Sequence, residues 1–135
     1  MRELVRRLSA AGHRIAVADE RGEIADAWSG EPAFDVGPCT DVMTGVPKAQ
    51  GIGLLLRAMN PQIVAVDELT MDDVRALLEA SGSGVKLLAT VHGERGMPES
   101  SVCRALIQAG VFRRRVWIEN RRGVRRYTVE TVPCV

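Results

Sequence analysis

Lysine is almost missing from this chain. Lys48 and Lys86 are the only two among 18 basic residues. A phosphate-gripping loop of the form Gly-x-x-x-x-Gly-Lys-Ser/Thr needs a lysine directly after a glycine, so that backbone amides cradle the phosphates and the ammonium reaches the terminal ones. Neither lysine follows a glycine. Gly82-Ser83-Gly84-Val85-Lys86 is a decoy: it leads into a strand signal, where its amides do not form an anion site. Cysteine is also scarce. Cys39, Cys103 and Cys134 are odd in number, widely spaced and without a Cys-x-x-Cys. That excludes a disulfide frame and a zinc knuckle, and reads as free thiols in a reducing cytoplasm. His13 and His92 are too isolated to suggest a metal site. No apolar run is long enough to span a bilayer, and Met1-Arg2-Glu3-Leu4 lacks the apolar core of a signal peptide.

What is present suits one soluble domain over 1–135. The chain has 135 residues, 46% hydrophobic and 26% charged, enough for a single core and too apolar for disorder. The net charge of +1 gives the whole molecule no electrostatic preference, but its distribution is uneven: residues 113–126 hold seven arginines against one glutamate, Glu119.

Periodicity predicts a helix over 2–11, with Leu4, Val5, Leu8 and Ala11 on one face and Gly12 as a stop. No Ser, Thr, Asp or Asn precedes it as a cap. Residues 13–18 read as a strand ending at Asp19-Glu20-Arg21. Residues 22–48, rich in Gly, Pro and Asp, read as a long loop of the functional or mobile kind. A helix over 50–59 ends at Asn60-Pro61, and a strand over 63–67 follows. Thr70, Asp72 and Asp73 open a helix over 71–80. A strand over 85–91 and a helix over 98–109, with Pro98 at its first position, come next. The strands 111–118 and 124–132 make a hairpin about Asn120-Arg121-Arg122-Gly123. Alternating strands and helices imply an α/β fold with a mostly parallel sheet, flanking helices and a C-terminal antiparallel hairpin over 111–132.

The chemistry concentrates in Ile63-Val64-Ala65-Val66-Asp67-Glu68, a buried strand running into two carboxylates. Ligands of open α/β sheets sit outside the carboxyl ends of the strands. Three strands here end in reactive groups: Asp19-Glu20, Asp67-Glu68 and Thr90-Val91-His92. On one rim, an Asp can hold Mg²⁺ through its water shell, a Glu can orient the attacking water, and a polar residue can sense a γ-phosphate. Each has a plainer reading. Strands often finish in polar residues, His92 can bond a backbone carbonyl, and Glu20 and Glu23 can be solvated charges. Their joint placement favours the site.

The segments around Ala18-Asp19-Glu20-Arg21-Gly22-Glu23-Ile24-Ala25, Asp35-Val36-Gly37-Pro38-Cys39-Thr40-Asp41-Val42, Pro47-Lys48-Ala49, Arg57-Ala58-Met59-Asn60-Pro61, Val64-Ala65-Val66-Asp67-Glu68 and Thr90-Val91-His92-Gly93 resemble the stage III sporulation protein AA family. The resemblance runs from the first helix to about Trp117. It implies a RecA-like P-loop NTPase core, related to the type II and type IV secretion ATPases, that uses ATP and Mg²⁺. By that resemblance Asp67 is the Walker B residue, holding Mg²⁺ through water, and Glu68 the catalytic carboxylate. Asp19, Glu20 and Glu23 correspond to an acidic strand end and His92 to a histidine box; Glu20, Glu23 and His92 are thus further catalytic candidates, and Asp19 and, by its place at a strand end, Thr90 are candidates for binding the nucleotide. The family's phosphate loop and its strand would lie just before the first helix, so the resemblance implies a truncated domain with that strand missing from between strands 85–91 and 111–118. It further implies a homo-oligomer, a hexamer by analogy, with a trans-acting arginine for which Arg57 and Arg95 are candidates. Other sporulation channel proteins would be its partners, and its place cytoplasmic and peripheral to the membrane.

Two other functions stay open. The lack of a lysine loop suits a non-catalytic regulatory partner of a complete ATPase. The arginines at 113–115, 121–122 and 125–126, with Trp117 and Tyr127 among them, suit a nucleic-acid-binding module. Charge on an edge hairpin also simply blocks aggregation, and this argues against a nucleic-acid partner.

Overall fold

The computed structural model describes residues 1–132, with only the backbone of Arg121. Its centre is a four-stranded, all-parallel sheet in the order β2-β1-β3-β4, formed by Thr40–Thr44, Ile15–Asp19, Ile63–Val66 and Lys86–Ala89 respectively. The two middle strands, Ile-Ala-Val-Ala-Asp and Ile-Val-Ala-Val, are buried at every position. Such unbroken apolar runs suit strands covered on both faces.

Alternation sorts these side chains into two cores. Ala16, Ala18, Val64 and Val66 join Ile52 and Leu55 of α2 (Lys48–Met59), Leu77 and Ala80 of α3 (Val74–Gly82), and Val102 and Leu106 of α4 (Ser101–Gln108). Ile15, Val17, Ile63 and Ala65 point the other way, onto Val5 of α1 (Arg2–Ala10) and onto Ile24, Ala25 and Val36. Burial of this kind stabilises by roughly 25 cal/mol per Å² of apolar surface removed from water.

Segment 22–48 departs from the expected loop. It contains β2 and the first residue of α2, and it contributes three core residues. The polar Thr40-Asp41 start and the flanking Gly37-Pro38 and Gly45 hide the strand in sequence. What makes it a strand is pairing with β1, from Ile15↔Thr40 to Asp19↔Thr44. Gly37, at φ +89°, lets the segment press onto α1: a Cβ there would fall 2.5 Å from the Ser9 Cβ. The buried Ser9 Oγ accepts from the Cys39 amide at 2.7 Å.

Other boundaries shift in small ways. The expected helix over 71–80 divides into a 3₁₀ turn, Met71–Asp73, and α3, which runs through Gly82. The expected helix over 98–109 starts at Ser101, because the Ser100 hydroxyl caps it by accepting from the Cys103 amide. Cys39 and Cys103 are free thiols, and Cys134 lies outside the described residues. The hairpin pairs β5 (Arg114–Arg121) with β6 (Val124–Thr131) as a sheet of its own. Its turn is tighter than expected. Arg122 and Gly123 take φ of +52° and +79°, the double left-handed turn that matches strand twist. Among the described residues no strand pairs with the outer edge of β4, so the hairpin does not close up against it.

Candidate functional site

The register of the sheet decides what meets at its rim. Ala18, Val66 and Ala89 lie abreast on β1, β3 and β4, so Asp19, Asp67 and Thr90 each come one step later, at the carboxyl ends. Beyond β3 the chain turns sharply. Glu68 has φ +42°, a left-handed conformation that a side chain of this kind rarely adopts and that costs on the order of 1–3 kcal/mol.

Two side chains hold Glu68 there. The Thr90 Oγ1 accepts from its amide at 3.0 Å. The Lys48 ammonium donates to the Asp67 carbonyl at 3.2 Å and to the Glu68 carbonyl at 2.8 Å. Lys48 is itself buried, 3.9 Å from the buried Asp73 carboxylate, which also accepts from the amide and hydroxyl of Thr70. The backbone on both sides of the strained residue is thus bolted to α2 and to the start of α3.

The Glu68 carboxylate faces outward. Arg21 donates to one of its oxygens and His92 Nε2 lies 3.2 Å from the other. His92 is 91% exposed, so this side of the site is open to solvent. Asp67 sits beside it, half-buried. Burial pushes its carboxyl above the usual range, the charge of Asp19 pushes the same way, and the Lys48 ammonium pulls it back in part.

The other anticipated residues take different places. Asp19 is fully buried, and its carboxylate accepts from the amides of Ile24 at 3.1 Å and Ala25 at 2.8 Å. Its contacts are those of a loop anchor under the rim. Glu20 accepts from the Lys48 amide at 3.1 Å and so caps the start of α2. Glu23 is exposed, 3.8 Å from Arg21. Thr90 serves the Glu68 backbone. Arg57 is exposed at the end of α2, and Arg95 reaches Glu130 of the hairpin at 3.2 Å. The structure therefore brings Asp67, Glu68, Thr90 and His92 together. It places Asp19 beneath them and Glu20 and Glu23 to one side.

Reasoning from sequence passed over three members: Lys48, Asp73 and Arg21. A lysine in a chain nearly without lysines, at the start of an apolar helix, was the available signal for the first. Nothing local marks the other two.

Among the described residues no cluster of three or more His, Cys, Asp or Glu is arranged to hold a metal directly. Magnesium does not require one, since it keeps most of its waters and takes one or two carboxylates with substrate phosphates. Asp67 and Glu68 fit that half of a site. Among the described residues neither lysine offers a cradle for the phosphate half: Lys48 is spent on carbonyls, and Lys86 starts β4 at the opposite rim. No helix among the described residues is long and apolar enough to cross a membrane.

Comparison with known proteins agrees with the segments singled out above. Stage III sporulation protein AA of Bacillus subtilis (strain 168) is 38% identical over 100 residues, covering 69% of this chain and 32% of that protein. The chain thus spans about a third of the length of this relative. No solved structure matches. A family profile described as sporulation stage III, protein AA matches residues 1–128, and the chain belongs to that family.

Proposed function

We propose that this chain is a RecA-like ATPase domain of a secretion-like apparatus that works during sporulation, with Glu68 as its water-orienting carboxylate. The observation that carries this is the strained Glu68 at the end of a central parallel strand, held by Lys48 and Thr90. Backbone strain persists only where surroundings over-determine it, and it gathers at working sites. Mg²⁺ with ATP would supply the polarised γ-phosphate. The chain's residues would do the rest. Asp67 would hold the metal's waters, Glu68 would orient a water with the part of its carboxylate that reaches solvent, and His92 and Arg21 would fix the rotamer of Glu68. In this reading the domain acts in a ring of copies, a hexamer by analogy, against other channel proteins of the sporulating cell and peripheral to its membrane.

The test is Mg²⁺-dependent ATP turnover by this chain, alone and joined to an upstream Gly-x-x-x-x-Gly-Lys-Thr segment. Turnover in the extended form, lost on Glu68→Gln, supports the reading. No turnover in either form sinks it.

A second reading has its own observation. Lys48 is committed to two backbone carbonyls, and Lys86 lies at the opposite rim of the sheet. That favours a non-catalytic partner that docks on a complete ATPase. Co-purification with a loop-bearing homologue, and acceleration of that homologue by the Glu68→Gln chain, would support it over the first.

A further inference from the structure

The hairpin has two unlike faces. One is tied to the body, where Arg115 bonds Glu99 and Arg95 bonds Glu130, and is knit within itself: Glu130 also accepts from Arg115 and, at 2.9 Å, from the Trp117 indole N–H, and the Arg115 guanidinium lies over the Trp117 ring at 4.9 Å. The other face is made by the cross-strand pairs Val116↔Val129 and Ile118↔Tyr127, all four exposed at 49–65%. Arg114 and Arg125 close this apolar patch at its two ends, Arg113 and Arg122 stand exposed just beyond it, and Arg126, also exposed, lies on the opposite face in register with Glu119. None of these five arginines takes part in a salt bridge among the described residues. Over 113–131 the sequence has seven arginines and two glutamates, a net charge of 7 − 2 = +5.

We infer that this face docks on an anionic lipid surface, the four apolar side chains entering the headgroup boundary while the arginines take lipid phosphates. Charge and size choose the occupant. A second copy would bring two faces of like charge together. Two strands of eight residues make a face of only roughly 260 Å² at about 3.4 Å per residue and 4.8 Å between strands. A stable protein interface needs about 800 Å² per partner. A bilayer sets no such minimum, since apolar insertion and basic charge combine as two weak signals. Nucleic acid is electrostatically equivalent but would use stacking rings, and this face offers one ring, Tyr127, beside three aliphatic side chains. The inference rests on the membrane-peripheral placement proposed above and on nothing concerning ATP. Turnover without vesicles tests the nucleotide reading separately, so the two can fail apart.

The experiment is co-sedimentation of the full chain with vesicles of mixed phosphatidylglycerol and phosphatidylcholine, and with phosphatidylcholine alone. The expected result is binding to the mixed vesicles only, falling with salt. Arg114→Gln and Arg125→Gln should each weaken it by roughly fivefold, and Ile118→Asn should weaken it at least as much. These side chains are exposed, so the variants should keep the wild-type melting curve, and Arg75→Gln, on α3, should bind as wild type. Equal binding to both vesicle types, or to neither, overturns the inference. So does tighter binding to a single-stranded oligonucleotide that Ile118→Asn leaves unchanged, or a dimer abolished by Ile118→Asn without vesicle binding.

Discussion

The rim of the parallel sheet and the C-terminal hairpin carry similar amounts of charge and use it in opposite ways. At the rim, Asp19, Lys48 and Asp73 are buried, and each is matched to backbone groups or to an opposite charge. Desolvated charges are tolerable only when so matched, and once matched they hold geometry. The hairpin keeps Arg115 with Glu99 and Glu130 and leaves Arg114, Arg122, Arg125 and Arg126 in water. There charge fixes little and stays available to something outside the chain. One region uses electrostatics to place a strained Glu68, and the other displays it.

Substitutions should separate the two regions by size of effect. Glu68→Gln should cut any ATP turnover by on the order of a hundredfold or more while leaving the melting curve near wild type, since its carboxylate faces solvent. A parallel fall in stability would make Glu68 a structural residue and erase the contrast. Leu55→Ala, in the core under the rim, should cost about 3 kcal/mol in chemical denaturation, against less than about 0.5 kcal/mol for Val129→Ala on the hairpin. Lys48→Met should cost about 3 kcal/mol, because Asp73 and two carbonyls would lose their buried cation. If denaturation instead shows no change, the bolt on Glu68 is not held by charge.

Smaller effects sharpen the same contrast. Glu130→Gln removes the charge, and one of the two acceptor oxygens, that Glu130 offers to Arg95, Arg115 and Trp117. Amide exchange should quicken in β5 and β6 and stay unchanged in β1. Exchange that quickens in both would mean that the hairpin and the sheet open as one unit. The least effect belongs to Glu3, whose carboxyl Arg6 and Arg7 lower from 4.5 to about 2. A carboxylate with a depressed folded pKa contributes fully above pH 4.5, and the contribution is lost as pH falls towards about 2. Helical signal from α1 should fade slightly across that window, and more weakly in high salt, because the pair is exposed.

Much of this arrangement was legible beforehand. The strands β1, β3 and β4 announced themselves through apolar runs and the helices through periodicity and end signals, and Thr70 with Asp73 marked the turn ahead of α3. β2 was not legible, since five residues with a polar start hold a strand only while β1 supplies the partner. Asp67 and Glu68 stood out by position at a strand end. Lys48, Arg21 and Asp73 did not, because their partners lie 19 to 47 residues away or across an element boundary.

The sequence by itself determined the period of each element, the burial of Ile63-Val64-Ala65-Val66 and the positions of the rim carboxylates, since these depend on neighbours within a few residues. Only the tertiary structure decided which carboxylates reach solvent. Asp19 and Glu68 look alike at their strand ends, but a buried carboxylate must take whatever donors surround it. For Asp19 these are the amides of Ile24 and Ala25, whereas Glu68, turned outward by its left-handed backbone, keeps a face to solvent.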